Sequence, residues 1–266
     1  MNTVRSLILA NKLHTVCQSA ACPNQAECWN EGTATFMVLG NVCTRGCRFC
    51  AVPKGAPQGL DQDEPYRVAD AVAALKLKYA VVTSVTRDDL VDGGAEIFAR
   101  TIQDIRSKSP ECRVEVLIPD FQGSEPLLRI VLKAKPDILN HNLETVPSLY
   151  SRVRPQSDYR TSLELLSRAK ASGAVTKTGL MLGLGEEREE LLAVMRDLRD
   201  IGCAILTLGQ YLQPSKTHLA VEKYYHPDEF AALRDQALAL GFRHVVSGPL
   251  VRSSYHAEKY GIASQG

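Results

Sequence analysis

Thr35-Phe36-Met37-Val38-Leu39-Gly40-Asn41-Val42-Cys43-Thr44-Arg45-Gly46-Cys47-Arg48-Phe49-Cys50 joins a short apolar run to a loop that carries three thiols. The run predicts a strand over Thr35–Leu39, and the loop follows it directly. In folds built from alternating strands and helices, ligands gather on the loops that leave the strand C-termini. Downstream the rhythm continues. Further strands are expected over Ala80–Val85, Arg113–Ile118, Ile138–Leu143, Thr176–Leu182 and Ala204–Gln210. Apolar residues at helical spacing fill the intervals, over Val68–Leu77, Ala95–Ile105, Pro126–Leu132, Ser162–Ala171, Glu187–Ile201 and Pro227–Leu240. A last short apolar run, His244–Ser247, precedes the tail. Six strand–helix repeats imply parallel strands with right-handed crossovers, and they fit either an open barrel or a doubly wound sheet. The expected class is α/β, a partial (β/α)6 TIM-like barrel with a Cys-rich N-terminal extension and a short C-terminal tail. The segments are 1–34, 35–243 and 244–266.

Bulk composition narrows the function classes. The chain has 266 residues, 45% of them apolar, with 31 Lys plus Arg against 30 Asp plus Glu. A balance so close to neutral does not point to nucleic acid or a membrane surface as partner. The apolar stretch Leu7–Ala10 is too short to span a bilayer and lacks the features of a secretory signal. A cytoplasmic, reducing setting is expected, where cysteines serve as ligands or reactive thiols rather than disulfides. Six of the eight cysteines fall between Cys17 and Cys50. Cys112 and Cys203 stand alone and read as small buried hydrophobes.

The first set is Cys43, Cys47 and Cys50. A structural zinc site wants four N or S ligands, and no second pair at matching spacing follows. A four-iron cluster normally takes four thiolates. With three, one iron stays open and can chelate the amino and carboxylate groups of S-adenosylmethionine. The C-x3-C-x2-C spacing, with Phe49 before the last cysteine, resembles the radical S-adenosylmethionine superfamily. That resemblance implies one-electron cleavage of the sulfonium to a 5′-deoxyadenosyl radical, which abstracts hydrogen from unactivated carbon.

The second set, Cys17, Cys22 and Cys28, has C-x4-C-x5-C spacing. It also has three thiolates, so a further ligand is needed. Cys112 precedes a strand, at the end opposite the expected site. The tail offers Arg252-Ser253-Ser254-Tyr255-His256, where His256 is a nitrogen ligand by chemistry alone. Leu13-His14-Thr15-Val16-Cys17, Cys22-Pro23-Asn24, Glu27-Cys28 and the Arg-Ser-Ser-Tyr tail resemble the lipoyl synthases. So do Thr83-Ser84-Val85-Thr86-Arg87-Asp88-Asp89, His141-Asn142-Leu143-Glu144-Thr145, Val153-Arg154-Pro155 and Gly179-Leu-Met-Leu-Gly-Leu-Gly-Glu186. The family's Lys-Pro-x-Trp-Leu stretch has no counterpart here.

That resemblance implies two 4Fe-4S clusters. Cys43, Cys47 and Cys50 would hold one, and Cys17, Cys22, Cys28 and Ser254 the auxiliary one. It implies sulfur insertion at carbon six and carbon eight of an octanoyl group on a lysine of a lipoyl carrier domain or H-protein, with the sulfur donated by the auxiliary cluster. An alkoxide is a harder ligand than a thiolate and matches iron less well, so Ser254 marks a weak point suited to a cluster that gives up sulfide. The partners implied are that carrier, an electron donor such as ferredoxin or flavodoxin, and an iron–sulfur carrier protein.

Polar residues at the expected strand ends are candidate cofactor contacts: Thr83 and Ser84 for the methionyl end, Asn142 and Glu144 for the ribose, Arg154 for the carboxylate. The plain alternatives are a strand-end turn, a fold role and a surface ion pair. Gly183 and Gly185 read as a tight strand exit. Arg87, Asp88 and Asp89 read as caps of the next helix. Arg252 would organise the tail. His14 and His141 read as structural, because hydrogen-atom abstraction needs no acid–base group. Other classes stay open: a biotin-synthase-like or methylthiotransferase sulfur inserter, a colourless zinc-stabilised binding module, or an electron carrier. Electron carriers usually close their clusters with four thiolates.

Overall fold

A computed structural model describes residues 2–19, 22, 24–30 and 35–255. The chain divides into two compact units. The first comprises 1–45, 52–139 and 254–266, and the second 46–51 and 140–253.

The first unit opens with α1 (Asn2–Ala10), β1 (His14–Thr15), α2 (Val16–Ser19) and α3 (Gln25–Asn30). These elements were not foreseen in the cysteine-rich segment. It continues with β2 (Thr35–Val38), α4 (Glu64–Ala74), β3 (Tyr79–Ser84), α5 (Ala95–Lys108), β4 (Arg113–Leu117) and α6 (Glu125–Lys133), and the chain leaves it along β5 (Ile138–Asn140). β1 pairs antiparallel with β2, and β2, β3 and β4 pair in parallel. Thr35 stands opposite Val81 and Val38 opposite Ser84, so the C-terminal ends of β2 and β3 are level. β2 is buried along its whole length and β3 nearly so, as strands covered on both faces require. α5 lays Ile97, Phe98, Ile102 and Ile105 into the core. Its N-terminus is tied by Asp92, whose carboxylate accepts from Gly94 N and Glu96 N, each at 3.1 Å.

The second unit carries α7 (Tyr150–Val153), α8 (Tyr159–Ala171), β6 (Thr176–Leu182), α9 (Arg188–Asp200), β7 (Ile205–Gln210), α10 (Pro227–Ala239) and β8 (His244–Gly248). β6, β7 and β8 are parallel. Its core packs Leu163 and Leu166 of α8, Leu191, Val194, Met195 and Leu198 of α9, and Phe230 and Leu233 of α10 against the sheet residues Leu180, Leu182, Leu206 and Leu208. The helix starts follow from sequence. Asp158 accepts from Thr161 N at 2.8 Å. Glu187 with Glu190, and His226 with Glu229, form reciprocal capping boxes.

One expected strand is shorter than its apolar run. Ile138–Leu143 was expected, and the ladder stops at Asn140. Leu143 N donates to the Thr178 hydroxyl at 3.2 Å instead of to a backbone carbonyl, and Glu144 takes φ +69°. Pairing resumes only as an isolated bridge from Glu144 to Leu180. The break turns 141–143 into a bulge.

Candidate functional site

The loop carrying Cys43, Cys47 and Cys50 is built in two parts. Through Arg45 it belongs to the first unit, and Gly46–Ala51 belongs to the second.

In the first unit, Cys43 is fixed at both backbone groups: its N donates to Pro53 O at 2.8 Å and its O accepts from Gly55 N at 3.0 Å. Its sulfur accepts from Arg45 N at 3.4 Å and Thr86 N at 3.3 Å. Backbone N–H groups aimed at a ligating sulfur stabilise the thiolate and tune an attached cluster. The turn is zipped to the chain leaving β3: Thr44 N and its hydroxyl each donate to Thr86 O at 3.0 Å, and Asp88 N donates back to the Thr44 hydroxyl at 3.1 Å. Arg45 is buried between two carboxylates. Nε and Nη2 reach Asp88 at 2.6 and 2.9 Å, and Nη1 and Nη2 reach Asp120, each at 2.6 Å. Burial opposes the charge on Arg45, and these two carboxylates outweigh it and push its pKa up.

Asp88 and Arg87 therefore do not cap α5, which starts at Ala95. Arg87 is buried, pairs with Asp89 at 2.8 Å, and donates to the carbonyls of Leu39 and Gly59. Leu39 is held at φ +71°, a conformation non-glycine residues seldom adopt. Glu64, the first residue of α4, accepts from Leu39 N at 2.6 Å. These contacts set the exit of β2 toward the cysteines. At the end of β3, Thr83 donates to Leu117 O at 2.9 Å. Ser84 Oγ is buried with no hydrogen-bond partner among the described residues.

In the second unit, Gly46 N donates to the Gln156 side chain, Arg48 N to Val153 O at 2.9 Å, and Leu219 N to Arg48 O at 3.2 Å. The His218 ring meets Cys50 O at 3.1 Å. Phe49 packs on the cluster of Val153, Leu184 and Tyr211. Asn142 donates to Glu144 at 3.1 Å, and its Oδ1 is buried without a hydrogen-bond partner among the described residues. Gly179 makes room for this side chain: a Cβ there would lie 3.0 Å from Asn142 Oδ1 and 2.7 Å from the Thr207 hydroxyl. Arg154 is buried and turns Nη1 to the carbonyls of Asn142 and Leu143 at 2.8 and 3.2 Å, bracing the bulge. Burial raises the Glu144 pKa, and the charge of Arg154 and the amide of Asn142 oppose the rise. Glu186 accepts from Gly183 N and Leu184 N at 2.6 and 2.9 Å. Gly183 holds φ +102° with Lys223 O and the Gln210 side chain where a Cβ would stand, the tight strand exit that was expected.

The N-terminal cysteines share short turns. Cys22 N donates to Cys17 O at 3.1 Å, and Cys28 N to Asn24 O at 3.0 Å. The tail returns to this segment. Thr35 Oγ1 donates to Ser254 Oγ at 2.9 Å, and the Tyr255 hydroxyl meets the Glu27 carboxylate at 3.1 and 3.3 Å. His256 lies outside the described residues. All eight cysteines are unbridged. Among the described residues, His, Cys, Asp and Glu side chains do not converge in threes at metal-binding distance. The donor chemistry nonetheless fits iron–sulfur clusters, with unbridged thiols on braced turns and the Cys43 sulfur accepting two backbone N–H groups.

Residues 37–198 match the radical SAM superfamily. The lipoyl synthase of Koribacter versatilis is 60% identical over 258 residues, covering 96% of this chain and 85% of that protein. That of Roseiflexus sp. is 57% identical over 261 residues, covering 97% and 87%. The chain belongs to the lipoyl synthase family. Among solved structures, a methylornithine synthase shares the fold with TM-score 0.59 at 14% identity over 79% of this chain and 69% of that one. The FeFe-hydrogenase maturase from Carboxydothermus hydrogenoformans does so with TM-score 0.60 at 17% identity, over 85% and 65%. As a lipoyl synthase family member, the chain is a radical SAM sulfurtransferase that uses a 4Fe-4S cluster and S-adenosylmethionine. Sequence reasoning missed Arg45, Asp120 and Glu64, and gave Gly179 no role beyond its place in a resembling stretch. Arg45 stood inside the cysteine motif, but its partners are remote in sequence.

Proposed function

We propose that this chain inserts sulfur at carbon six and carbon eight of a protein-bound octanoyl group, with Cys43, Cys47 and Cys50 holding the cluster that binds S-adenosylmethionine, and Cys17, Cys22, Cys28 and Ser254 holding the sulfur donor. When bound, the two groups supply the hydrogen-abstracting radical and the sulfide. The observation that carries the reading is the return of the tail: Ser254 and Tyr255 meet Thr35 and Glu27, residues on either side of Cys28. A donor set of three thiolates is thereby offered a fourth ligand of weaker affinity for iron. The other residues position and shield. Thr83 and Ser84 line the end of β3 for the methionyl group, Asn142 and Glu144 face the ribose, Phe49 walls the cofactor, and Arg154 lends charge for the carboxylate while bracing the bulge.

The functional segments follow the same division as the ligands: 1–34 for the donor cluster, 35–243 for the radical core and 244–266 for the tail ligand. The substrate is an octanoylated carrier, read here as a lipoyl domain or H-protein. Ferredoxin or flavodoxin would supply electrons, and an iron–sulfur carrier would rebuild the spent cluster. Eight unbridged thiols favour a reducing compartment, the cytoplasm. No helix among the described residues is long and apolar enough to cross a membrane.

The test is an anaerobic reconstitution with iron and sulfide. The parent is expected to hold about eight of each, falling to about half when Cys17, Cys22 and Cys28 become Ala. The parent should convert an octanoyl carrier to lipoyl carrier, and the variant should not. Equal iron in both proteins removes the sulfur donor and defeats the proposal.

A further inference from the structure

The tail is attached to the first unit at two consecutive residues. Thr35 is the first residue of β2, buried and paired in parallel to Val81 of β3, so its hydroxyl is carried by the sheet core. That hydroxyl donates to Ser254 Oγ at 2.9 Å across 219 residues of sequence. One residue on, the Tyr255 hydroxyl donates to the Glu27 carboxylate at 3.1 Å across 228 residues. Glu27 lies in α3, immediately before Cys28. Two anchors on neighbouring residues fix both the position of the tail backbone and its rotation, which a single contact leaves free. A serine oxygen bound to a metal keeps a lone pair for an incoming O–H, so the Thr35 bond and ligation are compatible. The Tyr255 bond has a charged acceptor and belongs to the stronger class.

We propose that Thr35 and the Glu27–Tyr255 pair are positioning residues that hold Ser254 over the N-terminal cysteines and so set how tightly the donor cluster keeps its iron. The proposal rests on the assignment of Ser254 as a ligand. Groups that orient a metal ligand without touching the metal are typically worth about 10- to 100-fold in affinity.

The experiment uses the full chain with Cys43, Cys47 and Cys50 changed to Ala, so that only the N-terminal set is read. After reconstitution, the rate of iron release to a ferrous chelator is followed for four variants. Ser254→Ala, Thr35→Val and Tyr255→Phe are each expected to release iron about tenfold faster than the parent. Thr35→Ser restores the hydroxyl and should return to the parent rate. Melting of the apo-protein is measured alongside, because a general packing defect would lower it while a positioning role leaves it unchanged in Tyr255→Phe. That variant also carries the test at a half-exposed position should Thr35→Val fold poorly. If Ser254→Ala releases iron quickly while Thr35→Val and Tyr255→Phe behave as the parent, the positioning role is overturned and the serine ligand stands. If Ser254→Ala itself matches the parent, the ligand assignment falls first, and this inference with it.

Discussion

Glu64 is a carboxylate with almost no exposure, and it spends its hydrogen-bonding capacity on the backbone of the β2 exit. Burial pushes its pKa up to about 7 from an ordinary 4.5, with the Leu39 and Gly40 amides holding it back. The folded value lies above the unfolded one, so the native state retains a proton that the unfolded chain releases. The resulting contribution to stability is present below about pH 4.5 and is lost as pH rises toward 7, at up to about 1.4 kcal/mol per pH unit. Glu64→Gln keeps an acceptor for Leu39 N and removes the titration. Its urea midpoint should therefore fall less between about pH 5 and pH 7.5 than the parent's. An identical fall in both proteins would show that Glu64 does not carry this dependence. The strained Leu39 beside it is one place where backbone energy is held by surrounding contacts.

The cysteine loop, as an element, is clamped by the fork of Arg45 on Asp88 and Asp120, whose loops follow β3 and β4. Removing one member of a buried ionic cluster leaves the other charges unpaired, typically costing about 3–5 kcal/mol. Arg45→Met is expected to lose stability on that scale, measured by urea unfolding of the apo-protein. Arg45→Lys should fall between, since an ammonium retains the charge without the planar fork. A loss within about 0.5 kcal/mol would mean that the clamp is not what secures the loop. None of this was legible in the sequence, because Asp88 and Asp120 lie 43 and 75 residues away and nothing local announces the pairing. The long elements were legible for the opposite reason. β6 matches its expected bounds of Thr176–Leu182, and α9 (Arg188–Asp200) nearly fills Glu187–Ile201. In both, apolar spacing is local and bounded by glycines or a capping box. β5 ended early because a side-chain hydroxyl on Thr178 replaced its ladder partner, and α2 and α3 were too short for a periodic stripe to be seen. The cysteine sets stood out by spacing, and Ser254 by resemblance alone; its hydrogen bond to Thr35 and the Tyr255–Glu27 contact were not legible, because 219 and 228 residues separate the partners.

At the scale of the whole molecule, two cysteines outside the proposed ligand sets report on the two units separately. Cys112 belongs to the first unit and Cys203 to the second. Each is buried, with 3% and 0% of its surface exposed. Burial pushes both thiols up to about 11, so at about pH 8 only a trace of either is the reactive thiolate. In the apo-protein under reducing, anaerobic conditions, iodoacetamide is expected to modify the half-exposed Cys22, Cys28, Cys43, Cys47 and Cys50 first. Cys112 and Cys203 should stay unmodified until denaturant opens the core that holds each one. Peptide mass spectrometry across a urea series then gives the opening free energy at each position. Labelling of Cys203 in the absence of denaturant would mean that the packing of α9 against β7 opens far more readily than its buried leucines imply, and the corresponding result at Cys112 would say the same of the start of β4. Protection at both, with the half-exposed cysteines reactive, is the pattern expected of a chain whose thiols divide between core positions and the proposed ligand sets.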